Sequence, residues 1–257
     1  IRARHPGAVI VLGGHHPSAQ FREVLAACPF VDWVARGEEG EESLLGLIRH
    51  LEGRLEREAL TGLATRDGAG AVVELTSARR IADLTQATVP FPARHLLPME
   101  SYIQAQEGHG PSTGRWTSII SSRGCPYGCT FCGTRRTKWV SRPAADVVDE
   151  IEHCMREWGS EEFHFEDDNM TINERRLIEI CDEIIARGLK VRWQTPNGIR
   201  ASRTSDEMLA KMKASGCMHV TLAPESGSAR VLKEIVQKGN DFSLEQLKSC
   251  GARAHQL

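Results

Sequence analysis

The sequence predicts an α/β protein in which two parallel sheets follow one another along the chain. Near the amino end, a continuous apolar run at 8–12 and a second strand at 31–35 each precede a predicted helix. After Trp116, strand and helix alternate four times. Repeated alternation is typical of a parallel sheet or barrel covered by helices, and the unbroken run at 8–12 favours a strand buried on both faces.

The composition is that of an ordinary globular protein. Of 257 residues, 40% are apolar and 26% are charged, which is enough for one large or two moderate domains. Lys and Arg number 32 against 34 Asp and Glu, for a net charge of -2. We therefore expect a small-molecule substrate and neither nucleic acid nor a membrane surface as a partner. No apolar run is long enough for a membrane span, and a cytoplasmic location is the expectation.

The first half of the chain contains two predicted helices, 21–27 and 41–51, and a predicted hairpin. The second helix carries an apolar stripe formed by Leu44, Leu45, Ile48 and Leu51. The hairpin consists of two short strands, 63–66 and 71–75, on either side of the turn sequence Asp67-Gly68-Ala69-Gly70.

The predicted domain boundary lies in a segment rich in proline and glycine, 77–114, which we interpret as a linker. The predicted domains are therefore 1–76, which includes the hairpin, and 115–257. In the second domain the predicted strands are 117–121, 162–165, 191–195 and 218–223. Predicted helix starts are Pro143 and three capping boxes, Thr171 with Glu174, Thr204 with Glu207, and Ser243 with Gln246.

Three cysteines, Cys125, Cys129 and Cys132, fall within eight residues directly after the first strand of the second domain. The glycines and proline between them permit tight turns, so the three thiolates can approach one centre. No fourth Cys or His follows at the spacing of a closed zinc site. Three ligands leave one position open, which favours an iron-sulfur cluster able to bind a small molecule, with zinc as the alternative.

This loop resembles the signature of the radical S-adenosylmethionine superfamily, which has three cysteines at this spacing and an aromatic residue, here Phe131, before the third. The resemblance implies a [4Fe-4S] cluster held by the three cysteines, with S-adenosylmethionine bound at the open iron. It also implies that the reduced cluster cleaves S-adenosylmethionine to a 5′-deoxyadenosyl radical, which takes a hydrogen atom from the substrate. An electron donor such as a ferredoxin or flavodoxin is then required.

Polar residues follow the other three strands of the second domain, at the ends where barrels place their reacting groups. They are Asp167, Asp168 and Asn169 after the second strand, Asn197 and Arg200 after the third, and Glu225 and Ser226 after the fourth. By resemblance to the superfamily these residues bind S-adenosylmethionine, with carboxylates near its amine. The alternatives are a solvated acidic turn, ordinary turn residues and a helix N-cap, respectively.

The loops after the first two strands of the chain resemble the second half of the cobalamin-binding domain that precedes many radical S-adenosylmethionine domains. The candidate cobalamin-binding residues are Gly13, Gly14, His15 and Ser18 in one loop and Gly37 and Glu38 in the other. Glycine lets backbone approach a large cofactor closely, and the alternative is a plain turn with solvated histidines. The Asp-x-His-x-x-Gly motif, whose histidine ligates cobalt where it is present in that family, does not occur in this sequence.

Together the resemblances imply a partial Rossmann-like cobalamin-binding domain followed by a partial (β/α) radical S-adenosylmethionine barrel, in a chain that we expect to be an internal fragment. The implied reaction is methyl transfer to an unactivated carbon of a small molecule, with radical ring closure or another rearrangement as the alternative. An iron-sulfur electron carrier is the non-enzymatic alternative. A zinc-dependent nucleic-acid module is disfavoured because the charge is balanced.

Overall fold

The computed structural model describes residues 1–37, 40–77, 81–238 and 241–257. Their contacts divide the chain into two compact units, Ile1–Ala82 and Asp83–Leu257. The predicted linker is divided between them, and the larger part of it lies in the second unit. In the described ranges, no helix combines the length and the apolar character needed to cross a membrane.

The first unit is built on a mixed four-stranded sheet with strand order β1-β2-β3-β4. Its elements are β1 Val11–Leu12, α1 His15–Ala19, α2 Phe21–Ala27, β2 Trp33–Ala35, α3 Gly40–Leu51, β3 Leu63–Arg66 and β4 Val72–Glu74. β1 and β2 are parallel, whereas β3 is antiparallel to both of its neighbours, β2 and β4. The predicted hairpin therefore belongs to the same sheet as the two parallel strands.

Both faces of this sheet are covered in part. Val34 packs with Phe21 and Leu25 of α2, while the adjacent Trp33 packs with Leu47 of α3, because successive strand residues point to opposite faces. The predicted stripe on α3 is not the face that packs on the sheet. Its members, Leu44, Leu45, Ile48 and Leu51, are exposed, whereas Leu47 is buried.

The second unit contains a fully parallel sheet with strand order β10-β9-β8-β5. Its elements are α4 Met99–Ala105, β5 Trp116–Ile119, β6 Ser122–Arg123, β7 Val140–Ser141, α5 Ala144–Trp158, β8 Glu162–Phe165, α6 Glu174–Ala186, β9 Arg192–Ile199, α7 Asp206–Ala214, β10 Cys217–Leu222 and α8 Leu244–Gln256. A helix separates each strand of this sheet from the next along the chain. This is the arrangement of a β/α barrel wall.

One face of the parallel sheet packs against the helices and forms the main apolar core. Phe163 of β8 and Trp193 of β9 are fully buried there, together with Val148 and Ile151 of α5 and Leu177 of α6. Complete burial of a large apolar side chain contributes about 1.5–3 kcal/mol. This core therefore holds the strands in register and aligns their carboxyl ends.

On the two central strands, β8 and β9, the other face of the sheet is polar and also buried. Glu162 and His164 are two residues apart on the same face of β8, where Glu162 Oε1 lies 2.8 Å from His164 Nε2. Gln194 lies beside them on β9. Gln194 Nε2 donates to the carbonyl oxygen of Pro111 at 2.6 Å, and the backbone N–H of Thr113 donates to Glu162 at 2.9 Å. The segment that precedes β5 thus covers the interior face of these strands.

Several element boundaries differ from the predicted ones. β9 continues to Ile199, so Asn197 lies within the strand rather than after it. α6 and α7 are capped by the side chains of Asn173 and Ser205, not by the predicted Thr171 and Thr204. The hydroxyls of these two threonines make buried hydrogen bonds with Asn169 and with the backbone of Arg200. The predicted capping box at the start of α8 is confirmed.

Candidate functional site

The three cysteines lie on a loop, residues 124–139, whose two ends are joined by the antiparallel pair β6 and β7. Inside this cysteine loop, the backbone N–H of Cys125 donates to Thr137 Oγ1 at 2.8 Å, and the N–H of Thr137 donates to the Cys125 carbonyl at 2.9 Å. This reciprocal pairing closes the base of the loop. It also fixes the backbone of the first cysteine at the carboxyl end of β5.

A second anchor connects the cysteine loop to the end of β8. Gly124 has a φ of +84°, in the region that favours glycine, and its N–H donates to Asp168 Oδ2 at 2.8 Å. Asp168 is an exposed residue that was predicted to bind a cofactor. The structure therefore brings the first cysteine and this carboxylate together.

The residues on either side of Asp168 are buried. Asp167 accepts hydrogen bonds from the Ser121 N–H and hydroxyl at 2.7 and 2.6 Å and from the Ser122 hydroxyl. Burial raises the pKa of Asp167, and the Arg176 guanidinium acts against that effect. Asn169 Oδ1 accepts hydrogen bonds from the backbone N–H and the hydroxyl of Thr171, both at 3.0 Å. The side-chain oxygen atoms of both predicted cofactor residues are therefore hydrogen-bonded within the loops that frame the site.

The three loop cysteines are free and partly exposed. Burial raises the pKa of the Cys125 thiol, and the charges of the other two loop cysteines and of Asp168 act in the same direction. Burial also raises the pKa of the Cys129 thiol, but the positive charges of Lys238 and Arg200 act against it. Two cations therefore act on the Cys129 thiol and none is among the charges that act on the Cys125 thiol.

The far side of the cysteine loop is docked on a short π-helical segment, Val231–Val236. The backbone N–H of Thr130 donates to the Val236 carbonyl at 3.0 Å, and the Thr130 hydroxyl donates to the Ile235 carbonyl at 2.8 Å. These bonds join positions more than 100 residues apart in sequence. They hold Cys129 and its neighbours against the chain that follows β10.

Two buried cations lie next to this docking point. Lys238 Nζ donates to Glu225 Oε1 at 3.0 Å, and Arg200 donates to Asp241 Oδ1 at 2.7 Å. The Arg200 guanidinium also lies 3.9 Å from the ring centroid of Tyr127, in the cysteine loop. The lysine and arginine side chains are only 9% and 4% exposed. Solvent therefore screens their charges weakly.

The remaining predicted residues of the second unit are more exposed. Asn197 donates to Glu166 Oε2 at 3.2 Å, and His109 Nδ1 lies 3.1 Å from the same oxygen. Ser226 accepts from the N–H of Ser228 within its own turn. Phe131 is 62% exposed beside the third cysteine.

In the first unit, the two predicted loops are adjacent at the carboxyl ends of β1 and β2. Gly14 and Gly37 have φ angles of +96° and +88°, and Ser18 Oγ donates to the Ala35 carbonyl at 3.4 Å. The predicted residues that the structure describes here are Gly13, Gly14, His15, Ser18 and Gly37, while Glu38 lies outside the described residues. His15 is exposed and begins α1 instead of lying in a loop.

The donor set of the cysteine loop fits an iron-sulfur cluster. Its three thiols are free and close enough for their charges to act on one another. In the part of the chain that the structure describes, no three His, Cys, Asp or Glu side chains converge on one point as ligands of a single ion do. The fit therefore rests on donor chemistry, because thiolates are the ordinary ligands of such clusters and bind different irons of one cluster.

The fold and site define a β/α-barrel protein with a thiolate site at the carboxyl edge of its parallel sheet. The chain belongs to the radical SAM superfamily, whose family model matches residues 119–253, more than half of the chain. Members of this superfamily use a [4Fe-4S] cluster and S-adenosylmethionine. The superfamily predicted from the cysteine spacing is confirmed.

Known proteins resemble the chain over most of its length. It is 35% identical over 256 residues to cytidylyl-2-hydroxyethylphosphonate methyltransferase of Streptomyces wedmorensis, covering 91% of this chain and 47% of that protein. It is 33% identical over 230 residues to the anaerobic magnesium-protoporphyrin IX monomethyl ester cyclase of Cereibacter sphaeroides, covering 87% and 36%. The chain thus spans about half or less of the length of these relatives.

A solved structure shows the same fold. The radical S-adenosylmethionine methyltransferase TsrM from Kitasatospora setae, solved with cobalamin and a [4Fe-4S] cluster bound, superposes with a TM-score of 0.75 at 18% identity. The match covers 97% of this chain and 49% of that one. The predicted α/β architecture, a partial Rossmann-like domain followed by a partial radical SAM barrel, is confirmed.

Sequence reasoning missed Lys238, Asp241 and Thr130. No spacing motif connects Lys238 or Asp241 to the cysteines, since more than 100 residues separate them. Thr130 stands inside the cysteine motif, but its bonds to the π-helical segment depend on tertiary docking.

Proposed function

We propose that this chain is part of an enzyme that uses S-adenosylmethionine and cobalamin to transfer a methyl group to an unactivated carbon of a small molecule. The observation that carries the proposal is the loop of three free thiols anchored at the carboxyl edge of a parallel sheet. Methyl transfer is supported by the Streptomyces wedmorensis relative, which is named a methyltransferase.

In this proposal Cys125, Cys129 and Cys132 hold the cluster. A [4Fe-4S] cluster with S-adenosylmethionine at its open iron supplies one electron and the 5′-deoxyadenosyl radical. The cysteine loop provides three thiolates and leaves the fourth position free. Phe131, exposed beside the third cysteine, offers an aromatic face to the bound ligand.

The exposed polar residues around the loop are the proposed contacts of S-adenosylmethionine. Asp168 and Glu225 are carboxylates that suit its ammonium group, and Asn197 and Ser226 offer amide and hydroxyl groups. A separate set of predicted residues, Asp167, Asn169 and Arg200, is buried. Their proposed role is to hold the strand-end loops in place around the ligand.

Cobalamin is the proposed ligand of the first unit. Gly13 and Gly14 follow β1, and Gly37 follows β2, so their backbone lies at the carboxyl ends of two neighbouring parallel strands, where open α/β sheets bind ligands. Gly14 and Gly37 have φ angles that side chains disfavour. His15, Ser18 and Glu38 complete the proposed set.

The second candidate function is radical ring closure without methyl transfer. It is supported by the Cereibacter sphaeroides relative, named a cyclase, which is 33% identical. A small-molecule substrate, an electron donor such as a ferredoxin or flavodoxin, and a cytoplasmic location belong to both proposals. The balanced charge of the chain, 32 basic against 34 acidic residues, favours a small substrate over nucleic acid.

The experiment uses the full-length protein, reconstituted anaerobically with iron, sulfide and hydroxocobalamin and then reduced. Methyl-labelled S-adenosylmethionine is added, and the corrin and nucleoside products are separated by chromatography. Methyl transfer predicts label on cobalamin with an equal amount of S-adenosylhomocysteine, as well as 5′-deoxyadenosine. Ring closure predicts 5′-deoxyadenosine without S-adenosylhomocysteine. Failure to retain any cobalamin would refute the assignment of the first unit.

A further inference from the structure

Lys238 and Arg200 bring two buried positive charges to one side of the cysteine loop. The Arg200 guanidinium lies 3.9 Å from the ring centroid of Tyr127, two residues before Cys129. Lys238 lies two residues after Val236, whose carbonyl accepts from the N–H of Thr130, the residue after Cys129. Asp168 accepts from the N–H of Gly124, the residue before Cys125. The two cations therefore lie beside the part of the loop that carries Cys129, and a carboxylate lies beside the part that carries Cys125.

The position of the two cations is fixed by several contacts. Arg200 donates to the Lys238 carbonyl oxygen, so the two residues are joined directly. The Tyr127 ring, from the cysteine loop, stacks on the Arg200 guanidinium. Thr130 donates to a carbonyl only two residues before Lys238. Replacing either cation therefore changes the contacts and the local charge of the loop that carries the thiols.

Glu225 partly compensates the positive charge of Lys238 near the cysteine loop. Its carboxylate lies 3.0 Å from Lys238 Nζ, and the same ammonium group donates to the Ala223 carbonyl, two residues before Glu225. Glu225 itself adopts a φ of +60°, an uncommon value for a residue with a side chain. Lys238 is therefore bonded to both the backbone and the side chain of the segment that follows β10.

We propose that Lys238, together with Arg200, raises the reduction potential of the cluster, and that Glu225 limits the effect by pairing with the lysine. Reduction adds one electron to the cluster, so a nearby buried cation stabilises the reduced form and a nearby carboxylate stabilises the oxidised form. Lys238 is a positioning and charge-setting residue in this proposal. The proposal rests on the proposed function, because it requires that the three cysteines hold a cluster.

The test is a redox titration of the reconstituted full-length protein, with the reduced cluster followed by electron paramagnetic resonance. Lys238→Met should give a more negative midpoint potential than the parent, and Glu225→Gln a less negative one. Lys238→Arg keeps the charge and should restore most of the parent potential. Lys233→Met is the matched control, since Lys233 is an exposed lysine of the adjacent π-helical segment and should leave the potential unchanged.

Opposite shifts for the lysine and glutamate variants, at equal iron content, support the proposal, because general loosening of the loop would move both potentials in one direction. Unchanged potentials, or shifts of the same sign, overturn it. If Lys238→Met fails to retain iron, Glu225→Gln is the deciding variant. A less negative midpoint potential then supports the proposal, and an unchanged or more negative one overturns it. A parent chain that binds no cluster refutes the proposed function instead, so the two failures are distinguishable.

Discussion

Glu150 of α5 pairs with two arginines at the carboxyl end of β5. Its side chain is 1% exposed; one carboxylate oxygen accepts a hydrogen bond from Arg142, and the other lies 2.7 Å from Arg94. Arg94 donates to the Ser118 carbonyl at 2.8 Å, and Arg142 donates to the Ile120 carbonyl at 3.0 Å. The trio therefore caps the carboxyl end of β5, just before the cysteine loop.

Replacing Glu150 by Gln removes a negative charge that these two guanidiniums share while keeping the side-chain volume. Loss of one partner of a buried ion pair costs about 3–5 kcal/mol. Arg142 keeps a second carboxylate, Asp146, at 2.7 Å, and the contact of Glu150 with Arg94 lacks hydrogen-bond alignment. We therefore expect the lower end of the range, about 3 kcal/mol.

The assay is urea unfolding of the 257-residue chain followed by tryptophan fluorescence, which reports mainly on the second unit because four of the five tryptophans lie there. Glu179→Gln is the control. Glu179 pairs with Arg175 on α6, where the two side chains are 50% and 90% exposed, so this change should cost under about 0.5 kcal/mol. A cost below about 1 kcal/mol for Glu150→Gln would refute the reasoning that this buried network holds the end of β5.

Two further predictions concern stability. Burial raises the pKa of the Cys217 thiol from 9.0 to about 12, so the folded chain keeps a proton that the unfolded chain loses. The contribution of this thiol to the free energy of unfolding should therefore be fully present below about pH 9. Above that pH the free energy of unfolding should fall by up to about 1.4 kcal/mol per pH unit. In denaturant titrations at pH 8 and pH 10.5, Cys217→Ala should lose less free energy of unfolding between the two pH values than the parent. Gly216→Ala should be severely destabilising, by more than about 2 kcal/mol, because Gly216 has a φ of +98° and an added Cβ would lie 2.0 Å from the Val191 carbonyl oxygen. The matched change Gly188→Ala, at a φ of +66° in open space, should cost about 1 kcal/mol in the same thermal or urea assay, and equal costs for the two alanines would contradict the steric argument.

The sequence predicted the elements best where local pattern and tertiary packing agree. The helix at Phe21–Ala27 and the strands at Leu63–Arg66 and Glu162–Phe165 have the predicted bounds. The predicted buried face of α3 was wrong. Four apolar residues form a stripe on this helix, but the sheet contacts the side of the helix that contains Leu47. β9 was predicted too short, since Pro196 and Gly198 suggested a turn and the strand continues through them.

At the site, the cysteine motif is local and could be recognised in sequence, whereas the charges around it could not. Arg200 was predicted as a candidate, but its partners Tyr127 and Asp241 come from segments that meet only in the folded chain. Asp167 and Asp168 are adjacent and look equivalent in sequence. Only the structure shows that one is buried against serine hydroxyls and the other bonds the cysteine loop at Gly124.

The central claim is that Cys125, Cys129 and Cys132 hold a [4Fe-4S] cluster, and the most direct measurement is the iron and sulfide content of the anaerobically reconstituted chain, combined with Mössbauer spectroscopy. The account predicts about four irons per chain, loss of the cluster spectrum when any one of the three is replaced by Ala, and full retention in Cys28→Ala, which removes a free, partly exposed cysteine of the first unit. Iron content in the triple-alanine variant equal to that of the parent would contradict it.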